Sequence, residues 1–159
     1  MASIKIENAK IMFRDFAGKV DEYNPTGKRS FCVILDEDMA QQFQDDGFNI
    51  KVTKPKNADY FPVKYLKVNV SYKVSAPLVR CYFGNKYRDY SENTLMAIDH
   101  MNFENVDLVL SVSRGMYLGK PYTTAYLSEF HGVVKESPYA SKYSGYSSMD
   151  ADDDIITMD

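Results

Sequence analysis

The fold class is decided by the stretch Lys64-Tyr65-Leu66-Lys67-Val68-Asn69-Val70-Ser71-Tyr72-Lys73-Val74. From Leu66 onward, apolar side chains occupy every second position, and polar side chains lie between them. A repeat of two is the side-chain period of a β-strand, whose successive residues point to opposite faces. The stretch therefore predicts a strand with a dry face that includes Tyr72 and a wet, basic face that carries Lys67 and Lys73.

Shorter patterns of the same kind extend outward on both sides of this strand. They predict further strands within residues 3–13, 28–35, 48–52, 78–83, 106–116 and 122–130. Asp36 is expected to cap a short helix over residues 37–46, and residues 91–101 predict a second one. This density of strands favours a mainly β fold, an OB-type Greek-key barrel with one or two short helices, and a β-sandwich is the alternative.

The charge of the chain divides it into two parts. The 159 residues carry a net charge of −3, but residues 1–135 hold 18 basic and 16 acidic residues, or +2. Residues 136–159 hold one basic and six acidic residues, or −5, and are rich in Ser, Tyr, Gly and Asp. We therefore expect a binding domain over residues 1–135, followed by a disordered acidic tail over residues 136–159.

Composition also excludes several classes of protein. No apolar run reaches the roughly 18 residues of a membrane span, and no signal-peptide pattern is present. Cys32 and Cys81 are the only cysteines, so neither a disulfide framework nor a four-cysteine zinc site is available. We expect reduced core thiols in a cytoplasmic protein that has no membrane partner.

Catalytic residues are difficult to assemble from this sequence. The only histidines, His100 and His131, lack the spacing of a metal pair, and no glycine-rich phosphate loop is present. The acidic run 36–38 could bind a metal in a nuclease, but a capped helix start explains the same residues. We therefore predict a protein that is not an enzyme and needs no cofactor or metal.

Residues suited to binding a single-stranded nucleic acid are easier to find. Such a ligand needs aromatic faces for its bases and cations for its phosphates. The 22 aromatic residues include 13 Tyr and no Trp, and several of them alternate with Lys or Arg. The residues predicted to contact single-stranded DNA (ssDNA) are Arg14, Phe16, Tyr23, Lys28, Arg29, Tyr65, Lys67, Lys73, Arg80, Tyr82, Lys86, Tyr87 and Arg88. If the strands 66–74 and 78–83 are neighbours, Lys67, Lys73, Arg80 and Tyr82 lie on one basic, aromatic surface.

The end of the chain combines carboxylates with apolar side chains. A tail that only keeps a protein soluble needs the carboxylates but not the apolar residues. Carboxylates can also occupy a groove that binds phosphates, and apolar residues can dock into a pocket of a partner protein. We therefore expect this tail to compete with DNA or to recruit partners, and a passive acidic tail is the alternative. The tail residues predicted to act in this way are Asp150, Asp152, Asp153, Asp154, Ile155, Ile156 and Met158.

Several short motifs resemble those of bacteriophage and prophage single-stranded-DNA-binding proteins. They are Ile6-Glu7-Asn8-Ala9-Lys10-Ile11, Arg14-Asp15-Phe16-Ala17-Gly18-Lys19, Tyr23-Asn24-Pro25, Arg29-Ser30-Phe31-Cys32-Val33, Tyr65-Leu66-Lys67-Val68, Asn105-Val106-Asp107-Leu108 and Gly119-Lys120 with Ala125-Tyr126-Leu127. The resemblance implies an OB fold that coats ssDNA during phage replication or recombination, in the host cytoplasm. It favours Arg14, Phe16, Tyr23 and Arg29 as strand contacts, and it implies that the tail recruits replication proteins.

The predicted function is therefore sequence-tolerant ssDNA binding. The alternatives are a viral structural or protein-interaction β-sandwich and a metal-dependent nuclease. The sequence leaves the oligomeric state open, with a homo-oligomer among the alternatives.

Overall fold

The structure is a computed structural model that describes residues 3–54 and 61–135. Within these ranges the chain forms nine strands, one α-helix and one 3-10 helix. The strands are β1 (Ser3–Ile6), β2 (Lys10–Asp15), β3 (Arg29–Leu35), β4 (Ile50–Val52), β5 (Lys64–Val70), β6 (Leu78–Phe83), β7 (Lys86–Tyr90), β8 (Phe103–Tyr117) and β9 (Lys120–Val134). The α-helix α1 is Glu37–Asp45 and the 3-10 helix is Leu95–His100. The predicted mainly β fold with two short helices is confirmed.

The strands form one sheet in which β9 has the central place. The hydrogen-bonded order is β1-β8-β9-β5-β3-β2, while β4 pairs with β5, and β6 pairs with both β7 and β9. One edge of β9 pairs with β8, and the other pairs first with β5 and then with β6, both parallel to it. Among the described residues no strand pairing joins β1 to β2, so the sheet is open between these two strands.

The core lies against the inner faces of β3, β5, β6, β8 and β9. An aromatic cluster fills its centre: Phe16 stacks on Phe31 with ring centroids 5.1 Å apart, and Phe130 meets both rings edge-on. Cys32 and Cys81 are free and buried, as predicted. Burial disfavours a thiolate and raises the pKa of Cys81 to about 12.

The strand that decided the fold class is shorter than the alternation predicted. β5 keeps a buried face through Val70 and then ends. Lys73 N donates to Ser71 Oγ, a local turn that competes with strand pairing, and Val74 is 99% exposed. The prediction that Lys67 and Lys73 share one strand face is therefore wrong, although Tyr72 does pack against the core.

The bounds of other strands and the type of one helix also differ from the predictions, because contacts between distant segments add to the local pattern. β8 and β9 form a hairpin that is longer at both ends than the sequence predicted. The basic segment 86–90 is a strand paired with β6, and the second helix is a 3-10 helix. Asp36 caps α1 as expected, since Met39 N donates to its carboxylate at 2.8 Å. In the described part of the chain, no helix is long and apolar enough to cross a membrane.

Candidate nucleic-acid interface

Strand registers bring basic and aromatic side chains together on the outer face of β2, β3, β5 and β4. In one cross-strand row Lys10 pairs with Ile34, Ile34 with Tyr65, and Tyr65 with Lys51. Adjacent members of such a row lie about 5 Å apart, and the next row on the same face lies about 7 Å further along each strand. Both lysines are exposed.

Two further rows complete this surface. The second is Met12–Cys32–Lys67, and Lys67 is exposed while Cys32 is covered by its neighbours. The third is Asp15–Ser30–Asn69–Tyr126, which reaches across to β9. We call this surface, made of the three rows and Phe13, the lysine face.

Phe13 joins the lysine face because of a bulge. The register of β2 shifts between Met12 and Asp15, and Phe13 has a φ of +52°. A bulge turns its side chain to the opposite side from the one that simple alternation predicts. Phe13 is 61% exposed, and its ring meets that of Tyr65 edge-on with centroids 5.5 Å apart.

The connection between β2 and β3, residues 16–28, forms a rim beside the lysine face. Asn24 holds it together: Nδ2 donates to the carbonyl oxygens of Lys28 at 2.8 Å and Lys19 at 3.1 Å, and Lys28 N donates to Oδ1 at 3.0 Å. The chain closes tightly here, because a Cβ on Gly18 would meet the carbonyl oxygen of Gly27 at 2.6 Å. We call residues 16–28 the rim loop.

Carboxylates of the rim loop and β2 are used to build the loop. Asp15 accepts from Lys19 N at 2.9 Å and from Asn24 Nδ2 at 3.3 Å, and Asp21 accepts from the backbone of Tyr23 at 2.9 Å. These hydrogen bonds partly compensate the negative charge close to the lysines. Tyr23 remains 89% exposed.

Together the rim loop and the lysine face enclose a groove of about 620 Å³. Its lining includes Phe13, Tyr23, Lys28 and Lys67. The groove therefore offers two aromatic rings and two ammonium groups within one concave surface, whose wall also carries the carboxylates of Asp15 and Asp21.

Two residues predicted to touch DNA instead fasten the start of the rim loop to the 3-10 helix. Arg14 donates to the carbonyl oxygens of Ile98 and Met101, at 2.8 and 2.6 Å. Phe16 has no exposed surface, and its backbone N–H donates to Asp99 at 2.8 Å. The prediction that Phe16 stacks on a base is wrong because its ring fills the core. Arg14 has a structural role, since its guanidinium donates hydrogen bonds to two backbone carbonyls.

A second group of predicted residues lies on the outer face of β6 and β7. Arg80 donates to Asp89 through two nitrogens, at 2.6 and 3.1 Å, and its guanidinium lies 4.2 Å from the centre of the Tyr87 ring. The hydrogen bond from Arg80 lowers the pKa of Asp89. The positive charge of Arg80 is therefore already balanced within the protein.

Tyr82 belongs to the same group. Its hydroxyl lies 2.9 Å from His131 Nδ1, and the two rings are stacked, while His131 Nε2 lies 2.9 Å from Glu129. Lys86 and Tyr87 are exposed, and Arg88 is partly buried. We call Arg80, Tyr82, Tyr87, Asp89 and His131 the Tyr82 cluster.

The structure separates residues that the sequence placed on one surface. β5 and β6 are not neighbours, because each pairs with its own segment of β9. Lys67 therefore lies on the lysine face, Lys73 lies beside Arg29 in a neighbouring pocket, and Arg80 and Tyr82 lie in the Tyr82 cluster. The proposed single surface from these strands is wrong.

Sequence reasoning missed Lys10, Lys51 and Phe13 as candidate binding residues. Lys10 and Lys51 each lack an adjacent aromatic residue in the sequence, and only the strand register brings them to Tyr65. Phe13 fits the apolar alternation of β2, and that pattern gives no signal of the bulge. The predicted tail residues 150–158 lie outside the described residues.

Comparison with known proteins shows the family of the chain. The family model described as "Putative phage ssDNA-binding domain" matches residues 1–159. The chain belongs to this family. No match was found among curated proteins.

Solved structures of low sequence identity share the fold. The single-stranded DNA-binding protein of bacteriophage Enc34 in complex with ssDNA has a TM-score of 0.55 at 13% identity, over 86% of this chain and 89% of that chain. A C-terminal truncation of that phage protein has a TM-score of 0.54 at 14% identity, over 86% and 88%. A further structure of the single-stranded DNA-binding protein from bacteriophage Enc34 has a TM-score of 0.52 at 12% identity, over 95% of this chain and 90% of that chain.

Family membership also decides between the classes considered from the sequence. The family is a class of DNA-binding proteins without enzymatic activity, which confirms the prediction that the chain is not an enzyme. The described residues contain no group of three His, Cys, Asp or Glu side chains placed to hold a metal.

Proposed function

We propose that this protein binds ssDNA without sequence preference on its lysine face. The observation that carries the proposal is the register that places Lys10, Lys51 and Lys67 around Tyr65 and Phe13 on one exposed surface. Membership of a phage ssDNA-binding family supports it independently.

The chemistry of the lysine face suits a flexible polyanion. Ammonium groups attract phosphates whatever the base, and the resulting release of counterions makes the affinity depend on salt. The exposed rings of Phe13 and Tyr23 provide faces for bases, and stacking of this kind contributes about 1–3 kcal/mol per base. Stacking accepts every base, so the combination gives affinity without sequence readout.

The Tyr82 cluster is separate from the lysine face and offers a second point of contact at one end of the interface, further along β9. Tyr126 on β9 belongs to the lysine face, and His131 of the Tyr82 cluster lies further along the same strand. Because Asp89 already balances Arg80, this end of the interface contributes aromatic surface from Tyr87 more than net charge. A bound strand would therefore be held by charge at the lysine face and by stacking at the Tyr82 cluster.

The phage family and the charge of the tail support a proposed biological role. The protein coats ssDNA during phage replication or recombination in the host cytoplasm. The six carboxylates of residues 136–159 compete with DNA for the lysine face or recruit replication proteins. The opposite charges of the tail and the lysine face support this proposal.

A comparison of nucleic acids tests the proposed function. Fluorescence anisotropy of the full chain at low salt would measure affinity for ssDNA, for the matching duplex and for RNA of the same sequence. We expect ssDNA to bind more tightly than the duplex, because paired bases cannot stack on protein rings. Equal affinity for the duplex, or no binding to ssDNA, would overturn the proposal.

A further inference from the structure

A side pocket of about 640 Å³ lies next to the groove and shares Thr26 and Lys28 with it. Arg29, Tyr72, Lys73 and Glu92 also line this pocket. Lys28 and Lys73 are exposed and form no ion pair with any described residue. The side pocket is therefore a basic recess that opens beside the lysine face.

Two polar atoms of the side pocket are buried without a hydrogen-bond partner among the described residues. They are Arg29 Nε and the Tyr72 hydroxyl. Buried polar groups in native proteins almost always have a partner, because leaving one unpaired costs free energy. Both residues line the side pocket, so two unpaired polar groups lie in the wall of one recess.

The ion pair between Arg29 and Glu92 satisfies only part of the guanidinium. Arg29 Nη1 lies 3.1 Å from Glu92 Oε2, while Nε has no hydrogen-bond partner among the described residues. A guanidinium prefers two parallel hydrogen bonds to one anion, and a phosphate group offers this geometry. The Glu92 side chain is 52% exposed, so it can turn toward water without disturbing the core.

The Tyr72 hydroxyl is suited to complete such a site. The Arg29 guanidinium lies 5.8 Å from the centre of the Tyr72 ring, and both residues line the side pocket. Burial raises the pKa of Tyr72, which keeps the phenol protonated and able to donate.

We propose that the side pocket binds one phosphodiester of the bound strand, which replaces the Glu92 carboxylate on Arg29 and accepts a hydrogen bond from Tyr72. This inference rests on the proposed ssDNA binding, and it places one phosphate of the bound strand in the side pocket. Glu92 then acts as a competitor that the strand must displace, and it lowers the affinity of the free protein for DNA.

Two substitutions in the full chain test the inference with a fluorescein-labelled oligothymidylate. Glu92→Gln removes the competitor, so we expect ssDNA to bind about threefold more tightly at low salt. A change of this size corresponds to the free energy of one exposed ion pair. Glu104→Gln, at an exposed position on β8, is the matched control.

Tyr72→Phe removes only the hydroxyl. We expect binding about tenfold weaker, as for a lost hydrogen bond to a charged group, with a melting temperature that is unchanged or higher. Tyr117→Phe, at the exposed tip of the β8–β9 hairpin, is the control. A lower melting temperature of Tyr72→Phe would show that the hydroxyl serves the fold and would count against the inference.

The outcomes separate this inference from the proposed function. If the wild-type chain fails to bind oligothymidylate, the proposed function itself is wrong. If the wild type binds while Glu92→Gln and Tyr72→Phe behave like their controls, only the phosphate site in the side pocket is wrong.

Discussion

The ring of Phe13 meets the ring of Tyr65 edge-on, with centroids 5.5 Å apart, across strands that are not neighbours in the sheet. β3 lies between β2 and β5, so the bulge in β2 is what lets Phe13 reach over it. The pair forms the aromatic centre of the lysine face.

Replacing Phe13 is expected to weaken ssDNA binding without a large change in stability. Phe13 is 61% exposed, so Phe13→Ala removes little buried surface. The loss of one stacked base corresponds to about 1–3 kcal/mol, or roughly 5- to 150-fold in affinity. Anisotropy titration measures the affinity, and Tyr117→Ala at the hairpin tip is the control. Binding equal to that of the control would remove Phe13 from the interface.

Asn24 is expected to be the residue on which the rim loop depends. Asn24→Ala deletes the hydrogen bonds to the backbone of Lys19 and Lys28. We expect a loss of about 1–2 kcal/mol in the free energy of unfolding, together with weaker ssDNA binding, because Lys28 loses its position. Urea denaturation gives the first quantity, and Asn102→Ala, at an exposed position, is the control. If Asn24→Ala and Asn102→Ala have the same free energy of unfolding and the same affinity for ssDNA, Asn24 does not hold the rim loop together.

The Arg80–Asp89 pair should produce a defined dependence of stability on pH. The pKa of Asp89 is lowered in the folded protein, so the carboxylate stabilises the fold above its ordinary pKa of about 3.9. That stabilisation is lost as the pH falls through the lowered pKa. The melting temperatures of wild type and Asp89→Asn should therefore differ at neutral pH and converge in acid. A difference that persists at the lowest pH would contradict the assignment.

The acidic tail is expected to oppose DNA binding. Removing residues 136–159 changes the net charge from −3 to +2, and the truncated chain should bind ssDNA more tightly at low salt. Because salt screens this competition, the difference between the two chains should shrink as salt rises. Unchanged or weaker binding by the truncated chain would reject competition by the tail.

The sequence predicted those features that depend on local pattern. Alternation placed β5 and identified its inner face, and Asp36 marked the start of α1, because burial and capping act over a few residues. Tyr23, Lys28, Tyr65 and Lys67 were predicted as binding residues, and the structure brings them to one groove and its adjoining face.

What the sequence could not supply was the arrangement of strands that are distant along the chain. Lys10 and Lys51 meet at Tyr65 only through the pairing of four strands. In the sequence, Arg14 and Phe16 have the pattern of a cation near an aromatic residue that binds DNA. In the structure, Arg14 donates to a carbonyl of the 3-10 helix and Phe16 is buried in the core. A bulge or a tertiary hydrogen bond reverses the direction of a side chain without leaving a mark in the local pattern.

The salt dependence of ssDNA binding distinguishes binding on the lysine face from binding elsewhere on the protein. The variant Lys10→Gln/Lys51→Gln/Lys67→Gln removes the three lysines of the lysine face, and Lys5→Gln/Lys120→Gln/Lys135→Gln removes three exposed lysines elsewhere. If each lysine of the face engages one phosphate, the slope of log affinity against log salt should fall by about 2 in the first variant. The control variant should keep the wild-type slope. Equal slopes for the two variants would contradict binding on the lysine face.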